Sequence, residues 1–412
     1  MSLLRSLPHK HLSLATAAYF FLALLSALMW GCAEEVNPDL EKQTFTSIFD
    51  NKQFSERLWP IDFRQTGDGG YLILAERKLS DSNFRGIYLL KADESGSFVR
   101  DLVIEAPCVN AVGDLMEAGN EYYFFAMDGL TLEGRLVKVD AQADSAVITP
   151  TPGINYPAAA STDGSNLLLL SYNHVDKTSV VTQHNLAGDV TKGPKTFSIG
   201  AGDDVEEPII RHFIRTGKRF PFQVGRVSED LYFFNGFQNY TFSLVFTDMN
   251  ADDPVGVVQG QQEDGGFSAV IPLQGNEFAA ARFNFGDNYF LPRVPLETTG
   301  LSAGAYLGGN AIPELVADAR VKIVNVTSGS RNVIIYAGDT RSKQIGLFFY
   351  DAATADFISS RYLGFSNPFE IAAIVQTKDE GLAICGTTYL AGRFPRIVLF
   401  KLSADQVSQQ IK

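Results

Sequence analysis

The chain has 412 residues, 45% hydrophobic and 20% charged, which supplies a packed core and excludes a disordered chain. Its formal net charge of -13 argues against duplex nucleic acid, whose phosphates demand Lys and Arg, and against charge-driven docking on anionic lipid. The length fits two or more ordinary domains or one repeat array.

The N-terminus reads as an address. Arg5 and Lys10 precede an uncharged apolar run from Leu12 to Trp30, and Gly31, Cys32, Ala33 and the pair Glu34-Glu35 follow. A basic start, an apolar run and small residues at its end mark a secretory signal. The competing reading is an uncleaved membrane anchor, because the run is near bilayer-spanning length. The segment Leu28-Met29-Trp30-Gly31-Cys32 resembles a bacterial lipobox, which implies a signal peptide at 1–31 and a lipid on Cys32. The acidic pair resembles the export signal of surface lipoproteins in Bacteroidetes-type bacteria. These resemblances imply a membrane partner through a lipid anchor, at the cell envelope and on the outer membrane. Residues 32–43 then form a polar tether, and 44–412 a single globular domain.

From about residue 60 onward a strand-turn module recurs. Its first copy is QTGDGGYLILA at 65–75 with IYLLKADESG at 87–96, and its last is QTKDEGLAICG at 376–386 with IVLFKLSAD at 397–405. Turns between the first and second strands fall near residues 70, 120, 164, 230, 276, 330 and 381, at steps of 50, 44, 66, 46, 54 and 51. Each step holds four short strands, A to D, and their loops. That spacing predicts an all-β propeller of seven blades, with six or eight left open because the fifth unit has poor C and D strands. The turns carry Asp-Gly and Gly-Asn pairs, which tolerate the positive φ of tight hairpins. The B strands are apolar on both faces, as in Leu167–Leu170 and Tyr122–Met127, so each is expected to lie between neighbouring blades. Thr44–Phe49 alternates and is expected to add a strand to the last blade and close the ring. No helical periodicity of twelve residues follows residue 40.

The modules resemble diverged bacterial propeller repeats with Asp-Gly-Gly-Tyr before strand B and Lys-x-Asp-x-x-Gly after strand C. The resemblance covers most of 61–405, is strongest in the first and last units, and implies a fold without one attached activity.

Candidate sites follow from this layout. The B–C loops emerge on one face and share aromatic, amide and guanidinium side chains, suited to a protein or glycan ligand. They offer Arg77 in unit one, Tyr172 and His174 in unit three, and Phe237, Asn239 and Tyr240 in unit four. Unit five adds Arg282, Asn284, Asn288 and Tyr289, and unit seven Tyr389 and Arg393. Scarce Trp lowers the glycan option somewhat, although Tyr can substitute for it in stacking. The longest insertion, Gly200 to Phe222, is read as a loop. Its acids (Asp203, Asp204, Glu206, Glu207) precede its bases (Arg211, His212, Arg215, Lys218, Arg219). This order fits a carboxylate site, a partner flap or a self-neutralising loop.

Asp248, Asn250 and Asp252 open like a calcium loop, but position twelve is Gln259, so a polar turn is the preferred reading. Ser161-Thr162-Asp163-Gly164 has part of a sialidase box and also reads as a turn. Cys108 and Cys385 read as buried thiols, with pairing left open. No cofactor is expected. With no catalytic motif around His174, His184 or His212, the reading leans to a non-catalytic binding protein. An extracellular carbohydrate lyase or hydrolase is the main alternative, and a scaffold subunit of an envelope complex is the third.

Overall fold

The computed structural model describes residues 44–50, 56–390 and 393–412. The signal peptide, Cys32 and the tether lie outside the described residues. Seven sheets, antiparallel but for one added strand in the fourth, follow one another along the chain, and they form a seven-bladed β-propeller. Blade 1 shows the plan: Leu58–Gln65 (A), Tyr71–Lys78 (B), Arg85–Ala92 (C) and Phe98–Ile104 (D). The A strands of neighbouring blades touch from blade 2 to blade 7 and from blade 7 to blade 1. B–C and D–A connections emerge on one face, A–B and C–D turns on the other.

Seven hydrophobic clusters each join one blade to the next. They run from blades 1 and 2 around to blades 6 and 7, and a last one joins blade 7 back to blade 1. The four leucines of blade 3 show how period-2 geometry uses both faces of a strand. Leu167 and Leu169 pack toward blade 2, and Leu168 and Leu170 toward blade 4. Because every B strand is sandwiched, continuous apolar sequence is required there rather than alternation.

Phe45–Phe49 pairs antiparallel with Phe394–Leu402 and completes blade 7. The ring is thus closed by a strand from the beginning of the described chain, which covers the edge of Phe394–Leu402.

The ragged fifth unit has a physical explanation. Its C strand, Asp287–Pro295, is regular, but its D strand is only Asn310–Ala311. The intervening Gly300–Ala303 turns back and pairs parallel with Gly256–Gln259 of blade 4. The chain between them therefore serves two blades, and no repeat signal survives in it.

The 66-residue step contains a helix, α1 (Asp203–Phe213), where a loop was expected. Val205, Ile209 and Phe213 form a stripe at a spacing of four and turn inward. The helix is 11 residues long and contains Pro208, a helix breaker in most contexts, so its short periodicity is hidden. A second helix, α2 (Ala404–Gln410), caps the C-terminus, with the Ser403 hydroxyl accepting the Gln406 N–H. No helix among the described residues is long and apolar enough to cross a membrane.

Candidate functional site: the B–C face

Most B–C hairpins are tight. Asn239 and Tyr240 both take positive φ, as do Phe285 and Gly286, so the predicted loops of units four and five shrink to two residues each. Asn235–Gln238 and Arg282–Asn284 belong to B strands. The tips of four successive blades nevertheless expose an apolar side chain: Leu130 (85% accessible), Val175 (87%), Tyr240 (47%) and Phe285 (69%).

The insertion lies on this same face. Beneath it a cluster gathers Val109 and Met127 of blade 2, Tyr156 and Tyr172 of blade 3, Phe237 and Phe242 of blade 4, and Phe283 of blade 5. Phe220 anchors it, with ring centroids 5.0 Å from Phe237 and 5.2 Å from Phe242. His212 is buried there; its Nδ1 accepts the Phe220 N–H at 2.9 Å. Burial first, then the charges of Arg219 and Arg215, push its pKa well below the ordinary value, so the ring is neutral.

The charges of the insertion are met chiefly by the blades. Glu206 accepts from the Tyr172 hydroxyl at 2.7 Å, contacts His174, and lies 3.3 Å from Lys177. Lys218 pairs with Asp318 at 2.7 Å and donates to the Glu263 carbonyl. Glu207 and Arg211 pair within the helix at 2.5 Å. The buried Glu76 of blade 1 receives Arg215 through Nε at 3.1 Å and through Nη2, and Arg219 stands 3.9 Å away. Burial raises the Glu76 pKa, but Arg215 and Arg219 outweigh it and hold the carboxyl below its ordinary range.

The sequence-selected residues separate into two groups. Tyr172, Phe237, Arg282 and Asn288 are buried and act as internal struts, beyond the reach of a ligand resting on the surface. Arg282 donates to the Gly308 carbonyl at 2.8 Å and stacks 4.1 Å over Tyr289, while Asn288 donates to the Val316 carbonyl. His174, Asn239, Tyr240 and Arg393 are exposed, and Arg77, Asn284, Tyr289 and Tyr389 are half-buried. Arg77 lies 3.7 Å from Glu105, and the Tyr389 hydroxyl donates to Glu370 at 3.2 Å. Sequence reasoning missed Leu130 and Val175; the signal is an apolar residue at the tip of a polar turn.

Asp248, Asn250 and Asp252 serve the C–D turn of blade 4. Asp248 accepts the N–H groups of Asn250 and Ala251, and Asp252 pairs with Lys195 at 2.8 Å. Asp93, Asp140, Asn185 and Asp351 cap the corresponding turns in the same way. Asp163 ends strand A of blade 3 and takes hydrogen bonds from Gln183 and Arg226. Cys108 and Cys385 are buried free thiols.

The fold and this face define a seven-bladed propeller whose loop side is partly roofed by an insertion. No family model matches the chain, and no curated protein matches its sequence. Solved structures match in fold. An oligogalacturonate lyase in complex with manganese aligns at TM-score 0.50 and 10% identity, over 88% of this chain and 98% of that one. BamB from Moraxella catarrhalis aligns at 0.45 and 11%, over 87% and 99%, and the propeller domain of the Trilobed protease from Pyrococcus furiosus at 0.45 and 8%, over 84% and 93%. At such identities the likeness is one of fold alone.

Proposed function

We propose that this chain is a non-catalytic binding propeller of the bacterial cell envelope, anchored by a lipid on Cys32, that takes a protein ligand on its B–C face. The observation that supports this reading is the row of exposed apolar tips, Leu130, Val175, Tyr240 and Phe285, on four successive blades. Apolar side chains held on rigid hairpins at one face are characteristic of an interaction surface. The opposite face differs: its turns expose Asp144, Asp189, Asp252, Asp253 and Asp356. Leucine and valine tips offer no planar face to a sugar ring, and Trp59 is stacked with Arg85 at 4.2 Å, so a protein fits better than a glycan. A cleft of about 440 Å³ lies between blades 5 and 6, but its lining shares no residue with the buried charges under the insertion. This separation favours binding over catalysis, for which titratable groups should converge in the pocket.

The test is cross-linking in intact cells of the wild-type chain and of a variant carrying Leu130→Ser, Val175→Ser and Phe285→Ser. Cross-links to one envelope protein that vanish in the variant, while melting temperature is kept, support the reading. Undiminished cross-links, or turnover of a polysaccharide by the wild-type chain, overturn it. Loss of fatty-acid labelling in Cys32→Ser checks the anchor separately.

A further inference from the structure

We propose that the channel mouth beside blades 1, 6 and 7 is an oxyanion site, in which Arg219, Arg320 and Arg85 receive a carboxylate or phosphate group. It does not depend on the partner reading, because the apolar tips belong to blades 2 to 5.

The geometry rests on an excess of guanidinium groups over carboxylates. Arg219 comes from the insertion, Arg320 immediately precedes the inner strand Val321–Ser328 of blade 6, and Arg85 opens strand C of blade 1. All three positions adjoin D–A or B–C connections, so they share one face. Glu76, the carboxylate that Arg219 approaches, is already taken by Arg215 through two nitrogens. At 3.9 Å, Arg219 has only the outer part of that carboxylate's field. Arg85 rests against the Trp59 ring and shares the field of Glu76 with Arg215 and Arg219. Two acids stand on the blade 6 and 7 side, and Asp339 interacts with Arg320. Asp339 accepts the Ile371 N–H at 2.6 Å, and Glu370 accepts the Tyr389 hydroxyl.

Electrostatics agree with this arrangement. Burial, then Arg215, Arg320 and Arg85, lower the Arg219 pKa to about 9 against the partial support of Glu76. Burial likewise raises the Asp339 carboxyl to about 7, so it only partly neutralises Arg320 at neutral pH. Yet Arg219 keeps 35% of its side chain accessible, and Arg320 is exposed. A guanidinium fork held among like charges and open to solvent is arranged to accept a bidentate oxyanion. In a chain of net charge -13 such a cluster is not a by-product of composition.

The experiment is calorimetric titration of the purified full-length protein with citrate and with inorganic phosphate, together with Trp59 fluorescence. Saturable heat is expected, with a fluorescence change that Trp59→Phe removes while the heat remains. Arg219→Gln and Arg320→Gln should each weaken binding tenfold or more, and Arg361→Gln, on the outermost strand of blade 6, should not. Tighter citrate binding would assign the carboxylate, and tighter phosphate binding the phosphate. Absence of saturable heat with both anions overturns the site. So does wild-type affinity in Arg320→Gln, an exposed position whose replacement leaves the packing intact even if Arg219→Gln fails to fold.

Discussion

The Lys91 ammonium lies 2.8 Å from the Asp68 carboxylate, on a side chain only 1% exposed, and Lys401 meets Asp379 at 2.7 Å in the same way. Thr66 and Thr377 complete the two sets by accepting a further hydrogen bond from each lysine. This is the physical content of the repeat motif. In blade 1 the Thr-x-Asp of the A–B turn receives the lysine that begins Lys-x-Asp-x-x-Gly, and in blade 7 it receives the lysine that begins Lys401-Leu402-Ser403. Gly70 and Gly381 are required by the close approach. A Cβ on Gly70 would press on the Ala92 carbonyl and stand 2.9 Å from Lys91 Nζ. In blade 3 the Gln183 amide takes the place of the lysine and donates to Asp163 at 2.6 Å.

Removing Asp68 strands a buried ammonium. Asp68→Ala should destabilise the fold by about 3 kcal/mol, whereas Lys91→Met, which removes the charge and keeps the volume, should cost less. Urea unfolding of both variants checks the order.

The Glu76 carboxylate ties the insertion to blade 1. Glu76→Gln leaves Arg215, Arg219 and Arg85 without their shared anion, and a loss of about 3–5 kcal/mol is expected for breaking such a buried pair. Hydrogen exchange should localise the loosening to α1 and the residues up to Phe222.

Two groups give opposite pH slopes. Asp339 has a folded pKa raised to about 7 by burial, Arg320 opposing, so the folded state binds the extra proton between the unfolded value near 4 and 7. Its contribution to stability is present in acid and is lost as pH rises through 7. His212 is depressed by burial, so its contribution is present above about 6.5 and is lost as pH falls. Asp339→Asn should therefore flatten the decline of melting temperature between pH 5 and 7, and His212→Asn the decline on acidification, in thermal melts at stepped pH.

Ring closure supplies another test. A chain lacking residues 1–49 loses the strand paired with Phe394–Leu402 and exposes that strand's edge. It should aggregate at concentrations where a chain lacking only residues 1–41 stays monomeric, as read by light scattering.

Much of this was legible in the sequence because blades are local. Each is a run of hairpins whose turns carry Asp, Asn and Gly, and whose sandwiched B strands are apolar throughout. The closing strand at Phe45–Phe49 was legible through its alternation, and the blade count through the spacing of turns. Helix α1 was not, since three apolar residues spaced by four around Pro208 are too few to outweigh a polar segment. The split fifth unit was not, because a parallel strand added to the neighbouring blade leaves no repeat.

The site divides along the same line. The sequence by itself determined which residues sit in B–C hairpins, since hairpin chemistry acts over a few neighbouring residues. Only the tertiary structure decided that Tyr172, Phe237, Arg282 and Asn288 turn inward, and that Leu130, Val175 and Phe285 turn outward. Only it brought Arg219, Arg320, Arg85 and Glu76, which are 134, 235 and 9 positions from Arg85 for the first, second and fourth, to one mouth. Burial and long-range charge depend on how seven blades close into a ring, and no local pattern records that closure.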